Sequence, residues 1–192
     1  MRTDAINIFL KNLRHKNIEV ISDLNPLVIK IDNRLCAFYI RQITSAYFKN
    51  RPDVSRIQLH DSPKTKSLIQ KNTPVIVLGY CVDFDVFITW ASDSLSKRLN
   101  FKKNVSLYSR YSLQKKAFET QQNVSMTLKN GDIVEAFPSQ ILSNTISQLI
   151  KHQGETRNKG RTITDLESTL LQNPELSFAE ALKLISLKMT SS

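Results

Sequence analysis

Seventeen acidic residues and three histidines are the groups from which this chain would have to build a hydrolytic centre. A metal-dependent nuclease needs carboxylates to hold the ion and a lysine two positions beyond one of them to assist the water. None of the seventeen acids has a lysine at that spacing; the nearest approaches are Asp32-Asn33-Arg34, in a turn, and Glu155-Thr156-Arg157, in a polar stretch. The metal-free alternative needs His-x-Lys, and none of His15, His60 or His152 supplies it. No GxxxxGK[ST], GxGxxG, GxSxG or HExxH pattern occurs, so nucleotide-binding loops, serine hydrolases and zinc peptidases are not indicated. Asp83-Phe84-Asp85 is the one close acidic doublet between apolar runs, and a solvated turn explains it better than a metal site. The expectation is a chain with no catalytic group, no metal and no cofactor.

Binding chemistry is better represented. The formal net charge is +10. Between Arg41 and Lys116 stand fourteen Lys and Arg against five Asp and no Glu, whereas the rest of the chain is almost balanced at thirteen bases and twelve acids. A cationic excess concentrated in one segment is what a polyanion-facing surface requires, although a solvated basic face has the same composition. Within that segment, Arg56 and Gln58 alternate with Ile57 and Leu59. On a strand this period puts the polar pair on one face and the apolar pair on the other.

Those residues need elements to position them. Ile6, Phe9, Leu10 and Leu13 recur at helical spacing, which predicts an opening amphipathic helix over 4–15. LVIKI at 27–31 and LCAFYIRQI at 35–43, separated by Asp32-Asn33, predict a hairpin. Residues 44–55 read as an extended polar loop ahead of a strand at 56–60, and 62–72 as a short helix capped by Ser62 with Pro63 at its first position. Two core strands are expected within 73–90, polar basic chain over 91–104, and β character over 105–113. The stretch 124–137 carries Asn130-Gly131 and predicts another hairpin, after which Pro138 opens a helix through Lys151.

HQGETRNKGR at 152–161 is the linker candidate, giving a main domain over 1–152 and a tail over 153–192. In the tail, Thr164 with Glu167 and Ser177 with Glu180 both have capping-box spacing, so two short helices are expected. Cys36 and Cys81 sit in apolar runs without a second cysteine nearby and read as buried reduced thiols. No apolar run approaches the length of a membrane span, and the polar-interrupted amino terminus is not a signal peptide; a soluble, cytoplasmic protein with no membrane partner is expected.

Three segments, SRIQLH (55–60), VIVLGYCVDFDVFITW (75–90) and SKRLNFKKNVSLYSRYSL (96–113), together resemble the DNA-binding pseudobarrel domain of restriction endonucleases. That domain serves as the effector or specificity domain of multi-domain enzymes and as the amino-terminal domain of some McrB-like restriction GTPases. Its fold is shared with plant B-three transcription-factor domains. The resemblance covers residues 25–150 and implies an α+β fold, mainly an antiparallel β pseudobarrel flanked by short helices, with the helical tail appended.

It further implies sequence-specific binding of double-stranded DNA through two arms that enter the major groove. The first falls on Arg41 to Gln58 and carries Arg41, Lys49, Arg51, Arg56 and Gln58. The second falls on Ser94 to Arg110 and carries Ser94, Lys97, Arg98, Asn100, Lys102, Lys103 and Arg110, with Lys64 a further basic candidate between the arms. Arginine reads guanine in a bidentate way, Gln and Asn read adenine, and Lys and Ser hold phosphates. Arg110 and Tyr108 support the barrel equally well on this reading, Lys102-Lys103 suit a solvated turn, and Tyr47 and Phe48 suit packing. The departure from the resembled proteins is that no nuclease or GTPase domain follows, so cutting would belong to a separate nuclease, GTPase or methyltransferase subunit. The rival expectation is a protein–protein adaptor beside a DNA methyltransferase or nuclease, its basic face meeting an acidic partner.

Overall fold

The structure is a computed structural model that describes residues 4–14, 17–23, 26–60, 67–68, 73–91, 104–153, 169–171, 177 and 179–183. The chain divides into two compact units, residues 1–150 and 151–192.

In the first unit the helical spacing at the amino terminus gives α1 (Asp4–Asn12). Among the described residues ten strands follow: β1 (Ile18–Ser22), β2 (Leu27–Ile31), β3 (Arg34–Gln42), β4 (Thr44–Ser45), β5 (Val54–His60), β6 (Val75–Cys81), β7 (Val86–Trp90), β8 (Asn104–Arg110), β9 (Val124–Thr127) and β10 (Ile133–Pro138). Helix α2 (Tyr111–Thr120) lies between β8 and β9, and α3 begins at residue 142 after a 3-10 turn, Ser139–Ile141.

The strands form a seven-stranded sheet, ordered β1-β2-β3-β6-β7-β10-β9, and a three-stranded sheet, ordered β4-β5-β8. All pairs are antiparallel except β3 with β6. The α+β class and the mainly antiparallel β content therefore hold, and the described residues arrange them as two sheets without closing a barrel.

Three layers result from the alternation of side chains on the seven-stranded sheet. Its even-numbered β3 residues Phe38 and Ile40 face Phe9 of α1, Leu13 just after it, and Leu142, Ile146 and Ile150 of α3. Phe9 is fully buried, its ring centroid 4.9 Å from that of Phe38 and 6.4 Å from that of Phe87. The odd-numbered Ala37 and Tyr39 face the second sheet, whose inward residues Ile57, Leu59, Val105 and Leu107 complete another core with Leu113 and Ala117 of α2. Each such fully buried aliphatic or aromatic side chain contributes about 1.5–3 kcal/mol.

Two contacts lock the sheets together. The Trp90 indole Nε1 donates to the Tyr108 carbonyl at 2.7 Å, and a β-carbon built on Gly79 would stand 3.2 Å from the Trp90 ring and 3.5 Å from Ile57. Gly79 is thus the position that admits the indole between the layers.

The Asp32-Asn33 turn takes positive φ at both residues, 46° and 69°, as a two-residue hairpin turn demands. The second hairpin is present too, with Gly131 at φ 83° and its N–H donating to the Leu128 carbonyl at 2.9 Å. Cys36 and Cys81 are free and buried. Burial pushes the Cys36 thiol up to about 11 and raises that of Cys81.

Three boundaries differ from the sequence expectation. The polar stretch 44–55 is not loop throughout: 44–45 pair as β4 and 54–55 already belong to β5. Pro138 closes β10, with the 3-10 turn preceding α3. The β character expected over 105–113 ends at Arg110, where α2 starts. Arg110, at the N-cap position of α2, makes no side-chain capping bond, so the local sequence carries no start signal. The cap comes instead from Asp53, whose carboxylate accepts from Ser112 N at 2.7 Å and Ser112 Oγ at 2.8 Å while its carbonyl accepts from Tyr111 N at 2.9 Å.

In the tail, the Ser177 and Glu180 capping box forms, with Ser177 N and Oγ donating to Glu180 Oε2 at 2.8 and 2.6 Å and Glu180 N donating to Ser177 Oγ at 3.4 Å. These bonds hold the Glu180 carboxyl below its usual range. The helix expected over 62–72 is described only at 67–68, which are helical, and the linker from 154 onward and the Thr164 box lie outside the described residues. Among the described residues no helix is long and apolar enough to cross a membrane.

Candidate nucleic-acid interface

The outward face of the three-stranded sheet follows from its register. Ile57 opposes Leu107 and Leu59 opposes Val105, all buried, so the intervening positions point away from the core. On β5 these are Arg56, Gln58 and His60; opposite them on β8 stand Tyr108, Ser106 and Asn104, and Thr44 of β4 flanks Arg56. None of these side chains carries a carboxylate. Gln58 and His60 are exposed and Arg56 and Tyr108 half-buried. His60 Nδ1 and Asn104 Oδ1 lie 2.7 Å apart at the far end of the face.

Beneath this face a polar group anchors α2. Gln114 Nε2 donates to Ser55 Oγ at 2.6 Å and to Ser109 Oγ at 3.4 Å, and all three residues are buried. A fully satisfied buried cluster of this kind fixes a helix on a sheet more specifically than apolar contact does.

The turn between β4 and β5 is knitted by backbone bonds. Ala46 N donates to the Val54 carbonyl at 2.9 Å, Arg51 N to that of Phe48 at 3.0 Å, and Val54 N to that of Arg51 at 3.1 Å. Tyr47 and Phe48, indistinguishable by type, divide here. Phe48 packs half-buried with its ring centroid 5.9 Å from that of Tyr108, whereas Tyr47 is 84% exposed at φ 55°. Left-handed backbone at a bulky residue costs on the order of 1–3 kcal/mol, and the Tyr47 N–H bond to Ser45 Oγ at 3.1 Å helps to hold it.

The Arg51 guanidinium carbon lies 4.5 Å from the Phe48 ring centroid, a cation–π contact. Arg51, Phe48, Tyr108 and Arg110 line a cleft of about 290 Å³ whose remaining wall includes Lys129 and Asn130 from the β9–β10 turn.

Of the sequence-derived candidates, Arg56, Gln58, Arg51, Lys49 and Arg110 are therefore placed on this sheet or its turn, with Lys49 exposed. Arg41 stands apart in β3 of the seven-stranded sheet, opposite Gly79, on the same side as Ala37 and Tyr39. Lys64, Ser94, Lys97, Arg98, Asn100, Lys102 and Lys103 lie outside the described residues. Lys129 and Asn130 were not legible as site residues: their one sequence signal, the Asn-Gly turn, announces a hairpin and says nothing of what it packs beside.

The Asp85 carboxylate is engaged within the fold. Tyr80 Oη and Ser139 Oγ both donate to the Asp85 carboxylate, at 2.8 and 2.6 Å, which ties the β6–β7 turn to the end of β10. Burial, and then this bond to Asp85, raises the Tyr80 phenol well above its ordinary value. Among the described residues no three metal-ligating side chains gather.

No curated protein and no solved structure matches the chain. A family model does, over residues 35–146, which run from β3 through both walls of the cleft into α3 and cover more than half of the sequence. That family is described as methylase-associated, which fits a component of a restriction–modification system and an accessory role beside a methyltransferase. The chain belongs to the Methylase-associated X1 family.

Proposed function

We propose that this chain is a non-catalytic, sequence-specific double-stranded DNA-binding module of a restriction–modification system. The observation that carries the reading is the acid-free outward face of β5 and β8, where Arg56 and Gln58 stand over a buried apolar underside. Since β4 contributes only two residues, most of this sheet is a two-stranded ribbon. Neighbouring strands lie about 4.8 Å apart, and the major groove, about 12 Å wide, admits such a ribbon.

Arg56 and Gln58 read base edges, while Arg51 and Lys49 hold phosphates from the adjoining turn; these are the first arm. The second arm is Ser94 to Arg110, with Arg98 as its reader and Lys102 and Lys103 on phosphates. The pseudobarrel likeness supports the two-armed grip. Residues 1–152 carry the binding, and nuclease, GTPase or methyltransferase activity lies outside them.

The test is a titration of wild type and Arg56→Ala against a selected site and a scrambled duplex at several salt concentrations. A base reader loses about 1–3 kcal/mol on the selected site and relaxes preference at particular positions. Equal losses on both duplexes, with no site preference in wild type, sink the proposal.

One observation favours an adaptor role instead. Phe84 packs between Tyr111 and Phe118, at 4.9 and 5.6 Å, and the latter two are 44% and 47% exposed. Exposed aromatic groups of this kind are common at protein interfaces. An adaptor binds a methyltransferase but shows no steep loss of duplex affinity with salt.

A further inference from the structure

We infer that the cleft at the end of the reading face is a phosphate seat, which makes the β9–β10 turn a third DNA-contacting element beside the two arms. The inference rests on the DNA-binding reading for its ligand, a backbone phosphodiester. The seat itself rests on geometry.

Three cations from three separate segments share this one opening: Arg51 from the β4–β5 turn, Arg110 from the end of β8, and Lys129 from the β9–β10 turn. Among the described residues no carboxylate lines it and none of the three cations forms an ion pair. Convergent unpaired cations repel one another, an arrangement that an anion relieves.

Two of the three are held in advance. Arg51 is stacked on Phe48, itself packed on Tyr108, so little guanidinium freedom remains to be lost on binding. The Lys129 turn is fixed by Asn130, whose Nδ2 donates to Asp132 Oδ2 at 2.8 Å and whose Oδ1 accepts from Asp132 N at 3.3 Å. The Asn130 amide is therefore occupied in shaping the turn, and Lys129 is the group presented to a ligand. The cleft's volume of about 290 Å³ sits at the lower end of the roughly 300–1,000 Å³ usual for ligand sites. That is room for a phosphate and part of its sugar, and too little for duplex to enter.

Lys129 is exposed and outside every core contact, so Lys129→Ala tests the seat without threatening the fold. Duplex affinity is measured against salt for wild type, Lys129→Ala, Lys129→Arg and the control Lys116→Ala on the exposed side of α2. Lys129→Ala is expected to lower the slope of log affinity against log salt by about one unit, with the ratio of selected to scrambled duplex unchanged. Lys129→Arg should restore the slope, and Lys116→Ala should leave it alone.

In parallel, inorganic phosphate is titrated into the wild-type protein while backbone amide resonances are followed. Shifts centred on Arg51, Arg110 and Lys129 support the seat. If Lys129→Ala changes the slope no more than Lys116→Ala and phosphate moves none of those amides, the seat is wrong, while base reading by Arg56 is untouched. If wild type ignores duplex yet phosphate shifts those three amides, the seat stands for a free phosphate-bearing ligand and the DNA reading falls.

Discussion

Replacing Asp53 by alanine removes the only side-chain cap on α2 among the described residues, although the two residues that bond lie 59 positions apart in sequence. The lost bonds are those from Ser112 N and Ser112 Oγ, at 2.7 and 2.8 Å, both to a carboxylate. Loss of an N-cap costs about 0.5–2 kcal/mol, and the carboxylate also offsets the positive end of a helix that has no acid in its own first turn. The backbone bond from Tyr111 N to the Asp53 carbonyl survives the substitution, and the site is open to water, so the expected loss is about 1–2 kcal/mol. For a chain of this size that lowers the midpoint of thermal unfolding by about 2–8 °C.

The substitution bears on binding as well. Asp53 ends the turn that carries Phe48 and Arg51, and its bonds join that turn to the residues following Arg110. Without them the cleft loses its fixed geometry, so duplex affinity should fall even though a negative charge has been removed. Asp53→Asn separates the two effects: asparagine caps nearly as well as aspartate but has lost the charge, so it should keep most of the stability and bind DNA at least as tightly as wild type. Thermal melts followed by circular dichroism, with duplex titrations of both variants, decide the matter. An Asp53→Ala protein within about 0.5 kcal/mol of wild type, or one that binds DNA more tightly, refutes the account of how this turn is held.

Other outcomes follow from the packing. Gly79→Ala forces a methyl to within 3.2 Å of a Trp90 ring that its bond to Tyr108 prevents from retreating; destabilisation of about 1–3 kcal/mol and altered tryptophan emission are expected, and unchanged stability contradicts the layer contact. The Cys36 thiol, raised by burial from 9.0 to about 11, should resist thiol reagents at pH 8 until the protein unfolds. Because its folded value lies above the unfolded one, its contribution to stability is complete below pH 9 and is lost as pH rises toward 11, so urea midpoints should fall across that window and a Cys36→Ala variant should show a smaller fall. Shortening the chain after Lys151 should leave specific DNA binding intact, and a truncated protein that folds but no longer discriminates sites assigns the tail a direct part.

What the sequence made legible was local. Asp32-Asn33 declared its hairpin because only left-handed backbone closes a two-residue turn, and Ser177 with Glu180 declared its helix because both halves of the cap are three residues apart. The Arg56-Ile57-Gln58-Leu59 alternation showed one wet and one dry side, and the register of β5 on β8 keeps it. Long-range pairings left no such trace. The start of α2 was invisible because Asp53 supplies the cap from another part of the chain. Arg41 looked like a neighbour of Arg56 and belongs to a different sheet, because the chain leaves β3 at Gln42 and enters β4 at Thr44. Tyr47 and Phe48 had identical prospects until the Phe48 ring found Tyr108.

The parallel pairing of β3 with β6 has a temporal consequence. Between those adjacent strands the chain makes an excursion from residue 43 to 74 that lays down β4 and β5, but β5 must wait for β8, whose Arg110 pairs with Val54. During synthesis β5 therefore leaves the ribosome paired only with the two residues of β4, its other edge open until some fifty further residues have been added, at about 5–20 residues per second. The surface assigned here to reading DNA comes late to a nascent chain, and the Lys129 wall of the cleft later still. A ribosome-bound chain arrested before β8 would expose the apolar underside of β5 and carry Arg56 and Gln58 without the strand that backs them, so the face would stay unformed until Tyr108 and Ser106 arrive.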